Sequence, residues 1–499
     1  MKLFRFKGGI HPNDKKDLTA DCAIEALPLP KLLRIPLQQH IGAPAEPIVA
    51  KGDWVKKGDL LAVGQGMVSA TIHAPTSGRI VGLGRYQAPH ASGLPGRTLT
   101  LKPDGKDEWG ETLPPMDPYA VDPSEIAKRV AACGVVGMGG ATFPSAVKLN
   151  LRARYELHTL LINGAECEPY LTCDDRLMRE HTAEVLDGIL IMAQALGTPR
   201  VIIAVEANKP RAIAALRDAV GKRADASDAE VTVAKVPTQY PMGSEKHLVR
   251  TVTGLETPAR ALTADLGIVV HNTATAYAVH QAVRLGRPLI DRIVTVSGEA
   301  VVRRGNFRVL IGTTVADLVA HCGGFDGEPA KLLLGGPMMG QPLPDTKAPI
   351  VKGSNGVLAL SEKEAAPRQA GACIRCASCV SACPCGLLPL EMASRIRAEE
   401  LDSAVDIGLM DCVSCGSCAY ICPSNIPLVQ YFNYAKGRLT ETQRAKHKQE
   451  ETKRLATART ERMEKIAAEK RAAMEKRKAE QRAKKAAAEA AAQKESVSA

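Results

Sequence analysis

Short apolar runs followed by polar, glycine-bearing loops dominate the middle of the chain. Residues 266–270 read as a strand, and the polar segments 163–169 and 240–245 each follow an apolar strand of the same kind. Residues 124–133 read as a helix, after which a glycine-rich turn within 137–149 opens another. Between 48 and 83 the pattern becomes two strand–turn units, with Gly52, Gly58 and Gly78 marking turns. Apolar residues at helical spacing return at 387–410. From about residue 440 the chain is Ala, Lys, Arg, Glu and Gln with few apolar positions. Helix propensity is high there, but no stripe is wide enough to bury, so the segment reads as a mobile, solvated tail. No apolar run reaches the roughly 20 residues that a spanning helix needs.

Composition narrows the picture. With 499 residues, 45% of them hydrophobic, the chain has material for several domains. Aromatics are only 3% while glycine is plentiful, which suits mixed α/β domains. The formal charge of +11 suggests nucleic acid until it is located. Residues 436–499 hold 19 Lys/Arg against 10 Asp/Glu, so the first 435 residues sit near +2 and nucleic-acid binding is not expected. The start, MKLFRFKGGIHP, lacks a secretory apolar region. Fourteen cysteines in such a chain point to metal ligands or reduced thiols and to a cytoplasmic setting.

Eight of those cysteines form an internal repeat. Cys373, Cys376, Cys379 and Cys383-Pro384 are echoed by Cys412, Cys415, Cys418 and Cys422-Pro423. Three thiolates at every third residue wrap one cubane, and the fourth, before Pro, reaches the neighbouring cluster. The crossover assigns Cys373, Cys376, Cys379 and Cys422 to one [4Fe–4S] cluster and Cys383, Cys412, Cys415 and Cys418 to the other. Paired structural zinc sites are the alternative. Zinc usually takes two ligands from each of two knuckles, so a doubled four-cysteine run fits it poorly. The helical pattern at 387–410 joins the runs, predicting an α-helical two-cluster ferredoxin domain. Cys385 is surplus and receives no role.

Clusters relay single electrons, so a two-electron donor needs a converter, for which flavin is the usual cofactor. The turn Gly137-Met138-Gly139-Gly140 suits backbone contact with a phosphate. Gly137, Gly139, Gly140, Phe143, Pro144 and Lys148 resemble the flavin- and NADH-binding loop of the flavoprotein subunit of respiratory complex I. Further resemblance follows in the same order over residues 130–285. Asn163-Gly164-Ala165-Glu166-Cys167-Glu168 is similar to that family's acidic flavin-site segment. Gly243 and Glu245 match its glycine–glutamate turn, and Asn272 and Thr275 its Asn-containing loop. Met138, Ala165, Ser244 and His271 depart from the family pattern, so the resemblance carries flavin contacts further than nucleotide contacts.

Gly8-Gly9-Ile10-His11-Pro12, the flavin loops, the doubled cysteine motif and the basic tail together resemble the RnfC family, the C subunits of bacterial Rnf ion-translocating complexes. The resemblance implies FMN, two [4Fe–4S] clusters, exchange with NAD(H) and ferredoxin, other subunits as partners, and a peripheral place on the cytoplasmic face of the inner membrane. It also implies a multidomain α/β order: an arm (1–28), a barrel-sandwich hybrid (29–105), an FMN/NADH-binding α/β domain (116–287), a β-grasp domain (288–362), the ferredoxin-type domain (363–433) and the charged helical tail (436–499). The barrel-sandwich segment resembles lipoyl carriers, but Met67 stands where they modify a lysine, so a docking or packing role is expected. The tail is a solvated spacer or a contact for anionic lipid. His11 reads as structural, and Cys167 and Cys173, beside acidic groups, as inert thiols. Two competing readings are a soluble flavin/iron–sulfur reductase, such as a cobalamin reductase, and a flavin-free cluster relay. The ligand assignment predicts that Cys383→Ser and Cys422→Ser impair different clusters. If both variants kept eight irons per chain, the crossover would be wrong.

Overall fold

The computed structural model describes residues 2–223, 227–365 and 369–497. The chain forms two compact units, Met1–Tyr431 and Phe432–Ala499. Strands Leu33–Pro36, Pro95–Pro103, Gly78–Gln87 and Trp54–Val55 make an antiparallel sheet in that order, and Glu46–Pro47, Leu60–Val63 and Ile72–His73 make a second one. Period-two alternation sends Leu33, Ile35, Leu99 and Leu101 into one core with Leu61 and Ile72 of the other sheet. Met67 is exposed between the last two strands of the smaller sheet.

The central sheet is parallel throughout, in the order Glu230–Val236, Arg200–Glu206, Thr159–Gly164, Ile268–Asn272. Its strands read as almost unbroken apolar runs because both faces are covered. Leu160, Ile162, Val201, Ile203 and Val269 enter one core. Leu161, Ile202, Ala234, Ile268 and Val270 enter the other. Helix Thr182–Leu196 crosses helix Thr273–Arg284 at Gly188, where an added Cβ would run into the Ala276 carbonyl.

A mixed six-stranded sheet follows, ordered Ile24–Ala26, Gly305–Leu310, Asp291–Ser297, Gly356–Leu360, Lys331–Leu334, Gln341–Pro342. Its edge strand comes from the N-terminal arm, which is therefore more than a free extension. Around the cysteine runs the elements are short helices, Ser378–Ala382, Pro389–Arg397, Leu401–Asp406 and Ser417–Tyr420. They close over Met392, Ala393, Ile396, Ala404 and Leu409. The tail is ordered as one helix, Leu428–Val497, whose described side chains from residue 440 to 490 are almost all exposed. Among the described residues no helix is long and apolar enough to cross a membrane.

One side chain joins three of these domains. Lys352, fully buried, donates from Nζ to the carbonyls of Thr71 in the barrel-sandwich hybrid and Gly134 ahead of the glycine turn, each at 2.6 Å. Its titratable neighbours are His40, His73 and Cys133, with no carboxylate among them. Burial therefore pushes the ammonium down to about 7. The unfolded chain holds this proton more tightly than the folded one, so stability rises with pH from about 7 toward the ordinary lysine value of 10.5. Replacing the group by Lys352→Met removes that increment. The stability difference between parent and variant should widen above neutrality by up to about 1.4 kcal/mol per pH unit. Denaturation at several pH values checks it, and parallel curves would contradict it.

Candidate functional site

The chain runs from strand Thr159–Gly164 outward through Arg200–Glu206 to Glu230–Val236, then returns to place Ile268–Asn272 on the other side of the first strand. The carboxyl ends of strands Thr159–Gly164 and Ile268–Asn272 thus flank a switch point, where open parallel sheets hold ligands. Asn272 caps helix Thr273–Arg284, its Oδ1 accepting the Ala274 N–H at 2.8 Å, while its Nδ2 donates to Asp174 at 2.6 Å. The Thr275 hydroxyl accepts the Met138 N–H at 3.0 Å and so ties the glycine turn to this helix. Within the turn the Gly137 N–H bonds the Phe143 carbonyl at 2.7 Å. Gly140 has φ +115°, outside the range of L side chains, and nothing lies within 4 Å of where its Cβ would be.

The other segments converge on the same end of the sheet. Asn163 donates from Nδ2 to the Gly243 carbonyl at 2.8 Å and accepts the Ala165 N–H at 3.1 Å. Lys148 reaches both Glu245 and the Val270 carbonyl at 3.1 Å, and Thr263 donates to the second Glu245 oxygen. Asn163 is thus tied to Gly243, Lys148 to Glu245, Asn272 to the Asn163 carbonyl at 3.5 Å, and Thr275 to the turn that carries Gly137, Gly139, Gly140 and Phe143.

Glu166 and Glu168 both accept from backbone N–H groups. The Glu166 carboxylate accepts the N–H groups of Asp174 and Asp175 at 2.7 and 3.3 Å, at the start of helix Cys173–Glu180. Glu168 accepts from the N–H groups of Met338 and Met339 at 3.0 and 2.9 Å. Burial pushes each up to about 7. Glu166 and Tyr170 both adopt positive φ, a conformation that costs on the order of 1–3 kcal/mol unless its surroundings impose it. The surroundings here are Lys16 of the arm, whose Nζ donates to the carbonyls of Glu166, Glu168 and Leu171 at 2.9, 3.0 and 2.6 Å. Lys209 holds the Ala165 carbonyl at 2.6 Å.

The hydroxyls of Ser145 and Thr273 and the Nε2 of His271 are buried in this region without a protein partner. The orphaned polar atoms and the open space at Gly140 fit a polar, phosphate-bearing ligand such as FMN. Burial holds His271 down at about 3, so it is neutral there. Burial, then neighbouring carboxylates, keeps the thiols of Cys167 and Cys173 well above the usual range. His11 bonds the Thr238 carbonyl at 3.0 Å, a structural contact.

The two cysteine runs adopt the same local conformation. Arg375 and Ala377 have φ +54° and +59°, and Ser414 and Gly416 have +55° and +86°. Backbone N–H groups approach Cys373 from Arg375 and Cys412 from Ser414, both at 3.4 Å, and Ser378 and Ser417 stand beside Cys376 and Cys415. Cys383 lies among Cys412, Cys415 and Cys418; burial first, then these neighbours, raises both Cys383 and Cys418, whereas Cys379 feels Cys422. Such sets of thiols, none of them in a disulfide, fit cubane clusters. Cys385 also lies beside Cys383, Cys412 and Cys415, and burial raises it to about 12. Cys373 and Cys376 are exposed, while Cys415 and Cys418 are buried. Tyr240 donates its hydroxyl to the Cys415 carbonyl at 2.6 Å, linking this second set to the loop that carries Gly243.

Residues 130–281 match the Nuo51 FMN-binding domain, 4–106 the RnfC barrel sandwich hybrid domain, 293–342 the SLBB domain and 372–426 a 4Fe-4S dicluster domain. The C subunit of the ion-translocating oxidoreductase complex of Rhodobacter capsulatus is 60% identical over 447 residues, which cover 90% of this chain and 85% of that protein. The chain belongs to the RnfC family. Its Pseudomonas aeruginosa relative is 43% identical, with 90% of this chain covered and 58% of that one. A relative from Clostridium ljungdahlii, the C subunit of a proton-translocating ferredoxin:NAD(+) oxidoreductase complex, is 42% identical, with 87% and 94% covered. The chain is thus an electron-transfer subunit of an ion-translocating oxidoreductase, with an FMN-binding domain and an iron–sulfur domain.

Sequence reasoning missed Lys16, Lys209 and Lys352, and it read Tyr240 only as part of the polar segment that carries Gly243. None of the three lysines lies in a glycine or cysteine motif, and the partners of Lys16 are some 150 residues away. Only Lys352 follows an apolar run, a signal too common to select, and Lys16 sits in a charged one. Lys16→Met leaves three buried carbonyls without a donor and should lower stability by on the order of 3 kcal/mol, with loss of bound flavin. Lys16→Arg should recover part of both. A urea midpoint for Lys16→Met equal to that of the parent would contradict this.

Proposed function

We propose that this RnfC family member is the flavin-bearing input module of its complex, with FMN seated on the loops of the switch point and two [4Fe–4S] clusters in the cysteine repeat. The chain's membership of the family and the bonded network of glycine turn, Asn163, Gly243, Asn272 and Thr275 support that seat. When bound, FMN exchanges a hydride with NADH and single electrons with the clusters. The residues orient and exclude water: the glycine turn offers backbone N–H groups to the phosphate, Thr275 holds the turn against its helix, and Lys148 and Glu245 form the polar wall nearest the solvent. No side chain needs to act as a general acid.

The observation that carries the reading is the Tyr240 link. Through it the set Cys383, Cys412, Cys415 and Cys418 adjoins the flavin-site loops, while the set Cys373, Cys376, Cys379 and Cys422 is the more exposed, with Cys373 and Cys376 open to solvent. This supports a path from flavin to the inner set, then to the outer set, then to another subunit or ferredoxin. We read the six-stranded domain as a β-grasp module and the partners as the other subunits of an inner-membrane complex, engaged from the cytoplasmic face. The helical tail, with its excess of basic residues, suits a weak attraction to anionic headgroups.

Anaerobic purification with iron, sulfide and FMN quantified per chain, followed by NADH addition under optical and EPR observation, tests the proposal. Eight irons, one FMN and NADH-driven bleaching are expected. Eight irons without flavin or response to NADH would reduce the chain to a relay.

A further inference from the structure

The N-terminal arm passes between the flavin-site loops and the inner cysteine set, and each of its two glycines touches both. Gly9 donates its N–H to the Ala382 carbonyl at 3.0 Å, and Gln239 donates to the Gly8 carbonyl at 2.7 Å. Ile10 and Tyr240 exchange both backbone bonds, at 2.8 and 2.9 Å. A Cβ on Gly8 would lie 2.5 Å from the carbonyl oxygen of the ligand Cys383, and one on Gly9 would lie 2.8 Å from the Tyr240 carbonyl. Both glycines have positive φ, +71° and +77°. Neither neighbour is a flexible side-chain tip, so these positions exclude any side chain on steric and conformational grounds. Ile10 then fills a small apolar cluster with Tyr240, Ala382 and Cys415, joined by Met338 and Val413.

We infer that Gly8, Gly9 and Ile10 form an intramolecular clasp that sets the position of the inner cluster, held by Cys383, Cys412, Cys415 and Cys418, against the flavin domain. The inference rests on the two-cluster, flavin-input reading above. The residues act by positioning: the arm backbone is the spacer, and the Tyr240 hydroxyl on the Cys415 carbonyl is its second fastening. Electron transfer depends steeply on separation and orientation, so a displacement of a few tenths of an ångström to an ångström at Cys383 alters both the transfer rate and the inner cluster's magnetic environment. The outer cluster has no contact with the arm among those described and is untouched.

The test uses the full chain, purified anaerobically, with iron, sulfide and FMN quantified before any comparison. Gly8→Ala is compared with the parent and with Gly66→Ala, which also sits at positive φ but meets nothing within 4 Å. After rapid mixing with NADH, Gly8→Ala should pass electrons from flavin to cluster on the order of tenfold more slowly. Its inner-cluster EPR signal should be altered, while FMN content and the outer-cluster signal equal those of the parent; Gly66→Ala should match the parent throughout. Tyr240→Phe is a milder second variant, expected to slow transfer in the same direction even if Gly8→Ala loses iron. Parental transfer rates and unchanged inner-cluster EPR in Gly8→Ala, or in Tyr240→Phe where Gly8→Ala does not retain its clusters, would overturn the clasp. Parent protein lacking flavin or clusters would instead overturn the functional reading on which it rests.

Discussion

Three buried lysine ammonium groups, bonded to main-chain carbonyls rather than to carboxylates alone, hold the loops on which the rest of this structure depends. A parallel sheet covered on both faces leaves only its loop ends for chemistry, and those loops carry carbonyls that helices and strands do not satisfy. Lys16 gathers three such carbonyls from the acidic segment, Lys209 takes one more, and Lys352 bridges two from different domains. A carboxylate could not do this, because it only accepts hydrogen bonds. An ammonium in a dry site is costly, and burial accordingly pushes both Lys16 and Lys352 down.

This arrangement explains why the arm, the barrel-sandwich hybrid and the six-stranded sheet all reach the central domain at its switch-point end. The arm supplies Lys16, then an edge strand, Ile24–Ala26, to the six-stranded sheet. Lys352 of that sheet's domain pins Gly134, which leads directly into the glycine turn. The flavin-site loops are therefore shaped by three other parts of the chain, and their rigidity belongs to the assembly rather than to the central domain by itself.

The cysteine domain follows a different logic. Its helices are short and its core small, so thiolate–iron bonds, once formed, supply much of what holds it. Its two halves repeat the same left-handed turns yet differ in exposure, one set the more exposed and one packed on Tyr240. Identical ligand spacing is thereby given two environments, the lever by which proteins separate the potentials of like clusters.

The cysteine repeat, the glycine turn and the charged tail were legible in the sequence because each is local: a cluster's ligands, a positive-φ turn and a stripe-free helix declare themselves within a dozen residues. The family resemblance, carried by the same motifs, extended this to the order of domains. Lys16, Lys352, Tyr240 and the tight seat of Gly8 were not legible, since each acquires its meaning from a backbone carbonyl over 100 residues away. Glu166 and Glu168 were read from an acidic motif as flavin-site residues, and only the fold shows that their carboxylates also accept from backbone N–H groups. Residue type and spacing determine which chemistry a chain can hold. Which carbonyl a buried donor meets is decided only when separate domains close over it, because the cost of leaving either group unpaired arises only once water is gone.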